Sequence, residues 1–252
     1  MRAYIAINIA LLLVLTVIPG CSDQPPTAPT DDGSQTTPIA TAQSEPGAEA
    51  QAMALWLGGE IAVSDSLAIS LDAEMASIRD RFLDSVPEVA IEFCPPWQSG
   101  KIVVGFEETT YDSVLAGEYR AWDSLNLVYG FDSVVVGTYH PSLAWAVLEF
   151  TEPLNPVLLA QAYEQLPGIT FATPNRFIGD GPMLLAWPDD DARIYFFRKA
   201  WGDCLAGCIY SQYDIFRVVE SEPTYLGHFE STVNIPLYLR KLFNDAWQDY
   251  YR

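Results

Sequence analysis

The stretch from Lys101 to Pro182 constrains this chain more than any other, because its hydrophobic period switches between two and 3.6 in a fixed order. Lys101-Ile-Val-Val-Gly-Phe106 is a β-branched run that reads as a strand. From Tyr111 the period becomes helical: Val114, Leu115, Tyr119, Trp122 and Leu125 share one stripe, and Gly130 supplies the stop. Ser133–Val136 and Ala144–Phe150 follow as two strands around the turn-prone His140-Pro-Ser142. Asn155 then offers an N-cap with Pro156 in the first helical position, where a missing N–H costs nothing. Leu158, Leu159, Ala162, Tyr163 and Leu166 form the apolar face of this second helix, and Pro167-Gly168 ends it. Ile169–Ala172 begins a last strand, and Pro174-Asn175 is expected to release the chain from it.

Strand–helix–strand–strand–helix–strand is the split βαβ, or ferredoxin-like, order: four antiparallel strands with two helices on one face. The run from Trp145 to Phe177, WAVLEFTEPLNPVLLAQAYEQLPGITFATPNRF, resembles the second half of a subtilisin-like protease propeptide. In that family a helix with a Leu-Pro-Gly type stop leads to a strand closing on an Ala-Glu-Pro-Asn-like tetrapeptide. Here the tetrapeptide is Ala172-Thr-Pro-Asn175, with Thr173 in the usual acidic position. The resemblance implies a ferredoxin-like fold and a capacity to cover a protease cleft with the segment after the last strand. It makes Asn175, Arg176, Phe177 and Ile178 candidate partner-binding residues. The chain departs from the family in carrying no Gly-Thr-Ser nucleophile motif and no protease domain after the module. The segment instead continues through Gly179-Asp-Gly-Pro182 into β-rich sequence, whose apolar faces are expected to pack on the module itself.

At the N-terminus, Met1-Arg2 is a basic lead into the apolar run Ala3–Ile18, which is short for a membrane span and reads as a signal-peptide core. Ile18-Pro-Gly-Cys21 resembles the bacterial lipoprotein processing box. The resemblance implies cleavage after residue 20, a diacylglyceryl group on the Cys21 thiol and acylation of the new N-terminus, palmitate being a typical chain. At about 0.8 kcal/mol per buried CH₂, several such chains anchor a protein durably. It also places the protein in the cell envelope, at the outer membrane if the source is Gram-negative. Residues 21–52 are dominated by Pro, Thr, Ala, Ser, Gln and acids, a composition too poor in aliphatic bulk to offset ordering entropy, and are expected to form a disordered tether.

Folded sequence is expected from Met53. Leu67, Leu71, Met75, Ile78 and Phe82 mark a helix capped by Ser64 or Asp65, with Asp72, Glu74, Asp80 and Arg81 on its solvated side, in a helical segment covering 53–100. Beyond the module, 183–252 reads as a β-meander: Ile194–Phe197, Ile209–Val219 and Thr224–Phe229 are aromatic and β-branched strands, and Asp189-Asp-Asp191 is a solvated turn. Leu239, Leu242, Phe243, Ala246, Trp247 and Tyr250 then mark a C-terminal helix that packs on the meander. The fold class expected is α+β: a ferredoxin-like βαββαβ module, a β-meander and a C-terminal helix.

With Cys21 assigned to lipid, Cys204 and Cys208 flank a hairpin loop at a spacing that suits a disulfide, Cys94 pairing with one of them being the alternative. Neither a CxxCH haem motif nor a CxxC redox motif is present, and the spacing lacks the second ligand pair of a zinc site, so no cofactor and no metal is expected. The formal charge of −20 repels phosphate backbones and excludes nucleic acid as a partner. His140 and His228, the only histidines, adjoin no recognisable nucleophile motif. These features favour a non-catalytic, protein-binding or structural ectodomain. Two alternatives stand beside it, a propeptide-like protease inhibitor and an enzyme whose site is assembled from residues distant in sequence.

Overall fold

Two antiparallel sheets of four strands each organise the computed structural model, which describes residues 45–140, 143–177, 179–204 and 207–251. The expected signal peptide, Cys21, the tether up to residue 44, the Pro141-Ser142 turn and Ile178 lie outside those residues.

The first sheet contains β1 (Trp97–Phe106), β2 (Phe131–His140), β3 (Leu143–Phe150) and β4 (Ile169–Arg176) in the spatial order β2-β3-β1-β4. Every neighbouring pair is antiparallel, which is the split βαβ order read from the sequence. Ile102, Val104, Ala146 and Leu148 point to one side and pack with Leu159, Ala160 and Tyr163 in a core of their own. The second helix of the module, Pro156–Glu164, starts as expected: the Asn155 side chain accepts from the amides of Val157 and Leu158 at 3.0 and 3.3 Å.

Two details of the module differ from the expectation. The first crossover is two short helices, Glu108–Leu115 and Asp123–Tyr129, because Gly117 (φ 68°) adopts a left-handed conformation and closes the first of them. Leu115 is therefore exposed instead of joining the apolar stripe, while Tyr119 and Trp122 reach Phe106 edge-on at 6.5 and 6.0 Å. Strand β4 also continues past Pro174 to Arg176. Proline is tolerated there because β4 is an edge strand and needs no outward amide donor.

The second sheet is the meander β5 (Met183–Asp189), β6 (Ala192–Trp201), β7 (Tyr210–Val219) and β8 (Glu222–Phe229), with β5 added to the three strands expected. Asp190, at φ 51°, makes the β5–β6 turn where a solvated acidic turn was expected. Ile194, Tyr195, Phe196 and Phe197 are all fully buried, so β6 is covered on both faces. On one face Phe196 meets Phe243 of the C-terminal helix Leu237–Tyr250 at 5.5 Å. On the other, the Tyr195 hydroxyl donates to Glu74 of the helix Asp65–Phe82 at 2.9 Å, and Phe82 lies 5.0 Å from Phe216.

Three expectations are corrected here. The meander's main cover is not the module but the helices of the N-terminal segment, so 48–82 and 183–250 share one core, which the first sheet and its helix join at the margin through Trp97 and Val157. The physical reason is burial: β6 and β7 carry apolar side chains on both faces and need a helical layer on each. Glu74 is not on a solvated face but is nearly buried, held by Arg193 at 2.6 Å and by Ser70 and Tyr195. Finally, helix structure starts at Ala48, inside the stretch assigned to the tether, because Ala50 is buried and Glu49 binds Arg79 in a bidentate pair at 2.6 and 2.7 Å.

The two cores are joined at Asn155, which is itself buried. Its amide donates to the Ile61 carbonyl at 2.8 Å and its side-chain Nδ2 donates to the Leu55 carbonyl at 2.7 Å, while Ala62 and Leu154 form an isolated β-bridge beside it.

Candidate protein-docking face

The side of the first sheet that faces away from its helices is graded from aromatic to charged along the strands. Register aligns Gly137, Trp145, Gly105 and Phe171 across the four strands in one row. A Cβ on Gly105 would come within 2.1 Å of the Phe171 ring, and one on Gly137 within 2.4 Å of the Trp145 ring. Each glycine thus lets a neighbouring aromatic ring lie flat on the backbone, an arrangement that fixes strand register and leaves a smooth apolar surface. The next row is Val135, Val147, Val103 and Thr173. The third row is polar: Lys101 pairs with Glu149 at 2.9 Å, and Ser133 donates to the same carboxylate at 3.2 Å. The hydrogen bond and charge of Lys101 outweigh desolvation and hold the Glu149 carboxyl below its ordinary value. Phe171 remains 36% and Val135 55% exposed, and the other residues of the first two rows are half-buried, except Gly105 within its strand.

The segment after β4, which the family resemblance singles out, is bound into the fold. The Asn175 side chain donates to Gln98 at 3.1 Å, Arg176 pairs in register with Trp97, and the Phe177 amide donates to the Pro96 carbonyl at 3.0 Å. Three residues on, Arg198 grips Asp180 with two nitrogens at 2.7 and 2.9 Å, and the Cys208 amide adds a third donor at 3.1 Å. The Asp180 amide in turn donates to the Cys204 carbonyl at 2.8 Å. Burial pushes the Asp180 carboxyl up, but the Arg198 guanidinium and the Cys208 and Gly181 amides outweigh it and leave it below its ordinary value. Cys204 and Cys208 form a disulfide, as their spacing suggested, so the loop that holds Asp180 is itself cross-linked. Phe177 is the one member of the candidate set that presents a large exposed side chain among the described residues.

His228 is the histidine with a described setting; it lies in β8, and the buried Asp214 of β7 approaches its Nδ1 at 3.1 Å. The Tyr225 hydroxyl donates to the same carboxylate at 2.7 Å, and burial together with that bond raises the Tyr225 phenol above its ordinary value. An imidazole oriented by a buried acid could serve as a base. The same arrangement satisfies a buried carboxylate, and it stands apart from a cleft formed among the described residues. That cleft, about 890 Å³ and widely open, lies instead between the helix Asp65–Phe82 and the helix Asp123–Tyr129, where Ile69, Leu127, Val128 and Leu154 line it. His140 ends β2, and its side chain lies outside the description.

Among the described residues, no group of three or more His, Cys, Asp or Glu side chains is placed to hold a metal ion, and no helix is long and apolar enough to cross a membrane. Sequence reasoning missed this face. Its signal was two glycines inside strands, Gly105 and Gly137, each with an aromatic residue as its cross-strand partner. No protein-family model matches the chain, and no curated protein or solved structure matches it either.

Proposed function

We propose that this is a lipid-anchored bacterial envelope protein whose ectodomain is non-catalytic and docks another protein on the open face of its first sheet. One contrast carries the reading. Among the described residues, the second sheet is covered on both sides by helices, whereas the first leaves the Trp145–Phe171 row and the Val135–Val103 row uncovered. Exposed apolar surface of this kind is costly to maintain without a use, and rows of aromatic and β-branched side chains suit a protein partner. The high negative charge favours a partner that is neutral or basic around an apolar centre. Lipid at Cys21 would hold this face near other envelope components.

The test is cross-linking in intact envelopes followed by capture of the chain. Phe171→Ala and Thr173→Arg should each abolish the cross-linked product, while Leu127→Arg, on the cleft, should leave it unchanged. Retention of the product by both face variants, with their folding intact, would refute the reading.

A further inference from the structure

Four strands form the edges of the two sheets, and three of them carry a proline: Pro174 in β4, Pro188 in β5 and Pro223 in β8. Proline removes an amide donor and is one of the devices by which proteins stop an edge from recruiting another strand. β2 is the exception. Its ten residues, FDSVVVGTYH, contain no proline, lysine, arginine or glutamate, and the single acid Asp132 is next to its start. From Ser133 to Thr138 its register with β3 is uninterrupted, so no bulge twists this stretch away. Val134 and Val135 are exposed, and among the described residues no strand pairs with its outer side.

We propose that β2 is a strand-addition edge whose occupant is β2 of a second copy of this chain, joined antiparallel about a two-fold axis at Val135. The pattern of the strand fits itself. An axis normal to the sheet keeps the two helical layers on one side, and places Val135 against its own copy, Val134 against Val136, and Ser133 against Gly137. Asp132 then faces position 138 of the other copy, so the lone acids never meet across the seam. The product is one eight-stranded antiparallel sheet in which the open Trp145–Phe171 surface appears twice. Closed two-fold pairing of this type is the commonest symmetric association. The seam is short and both partners are strongly acidic, so the dimer is weak and tightens as salt screens the long-range repulsion.

The experiment is sedimentation velocity on the purified full chain at rising concentration and two salt levels. A monomer–dimer equilibrium that shifts toward dimer with salt is expected. Val135→Lys replaces an apolar pair by facing like charges and should weaken the dimer by about tenfold or more. Thr173→Arg, on the opposite edge, should leave it unchanged. Val135→Cys should give a covalent dimer with a 135–135 linked peptide under mild oxidation, because facing residues in antiparallel strands lie about 4.5–5.5 Å apart. Thr173→Cys should not. A chain that stays monomeric at every concentration overturns the proposal, as does a dimer that survives Val135→Lys but is lost with Thr173→Arg. Should Val135→Lys fail to fold, the pair of cysteine variants decides. The measurement uses the purified chain alone, so it can fail while the docking of a different envelope protein holds, and the reverse.

Discussion

Replacing Asn155 by alanine tests how the two cores are held together. The side chain does two things at once. Its oxygen caps the helix Pro156–Glu164 through the Val157 and Leu158 amides, and its nitrogen satisfies the Leu55 carbonyl, which lies in the last turn of the helix Ala48–Leu57. Loss of an N-cap costs about 1 kcal/mol. A buried carbonyl left without its donor adds about 1–3 kcal/mol. Together these give about 2–4 kcal/mol, a large part of the 5–15 kcal/mol of net stability typical of a folded domain. For a chain of this size the melting temperature should fall by about 10 °C. Asn155→Ser separates the two effects: it keeps a capping oxygen but does not reach Leu55, so it should lose only the second contribution. The assay is urea unfolding followed in parallel by tryptophan fluorescence and far-ultraviolet circular dichroism. If the alanine variant lies within about 0.5 kcal/mol of the parent, the range of an ordinary surface substitution, Asn155 does not join the cores as argued.

Four further outcomes are expected. Cys21→Ala should move the protein from the membrane to the soluble envelope fraction, and a variant as tightly bound as the parent would place the anchor elsewhere. Mass spectrometry of the unreduced digest should show Cys204 linked to Cys208; because the loop is short, Cys204→Ser should cost no more than about 2 kcal/mol, and alkylation of both thiols without reductant would contradict the bridge. Because the Asp180 carboxyl is held below its unfolded value, its contribution is present above about pH 4 and is lost as pH falls through the folded value; Asp180→Asn should flatten that acid limb, and an unchanged limb would count against the clamp. Titrated against a subtilisin-like protease, the chain should not inhibit, since Asn175–Phe177 pair with 96–98 and Asp180 is clamped; stoichiometric inhibition lost on replacing Asn175–Phe177 would refute that.

The module was legible because its signals are local. Asn155-Pro156, Pro167-Gly168 and Gly130 announce helix ends by backbone chemistry, and the apolar period fills in what lies between them. The interruption at Gly117 was written in the same language, but an apolar stripe running through it outweighed one residue. Cys204 and Cys208 were legible as a pair because a hairpin loop brings its two ends together whatever the rest of the fold does. The partnership of 48–82 with 183–250 was not, since the ferredoxin-like module separates these segments and no local feature names a distant partner. One clue pointed that way: four consecutive apolar residues, Ile194–Phe197, cannot all face one core, so a second helical layer was required. Glu74 shows the limit of reading a helix face by polarity alone. An acid on the polar side of an amphipathic pattern is solvated unless a neighbour across the sheet supplies donors, and Arg193 and Tyr195 do.

The chain's two sheets are built to opposite standards of closure, and that difference ranks the functional readings. In and around the meander, buried carboxylates are paired: Glu74 with Arg193, Asp214 with Tyr225 and His228, Asp180 with Arg198. An acid–base role for His228 would draw on groups that the fold already uses to satisfy a buried carboxylate. The first sheet is finished on its helical side to the same standard, with Ile102, Val104, Ala146 and Leu148 fully buried. On its other side glycine is placed under Trp145 and Phe171, so that both rings lie flat on the sheet with no described residue layered over them as a second core. Strand order alone does not demand those two glycines, because any small β-former would satisfy the ladder. A flat apolar surface does demand them, since a Cβ at either position would lift the ring. The cost of keeping such a surface in water is offset when another protein covers it, which is the reason to look for function on this face before the clefts and histidines.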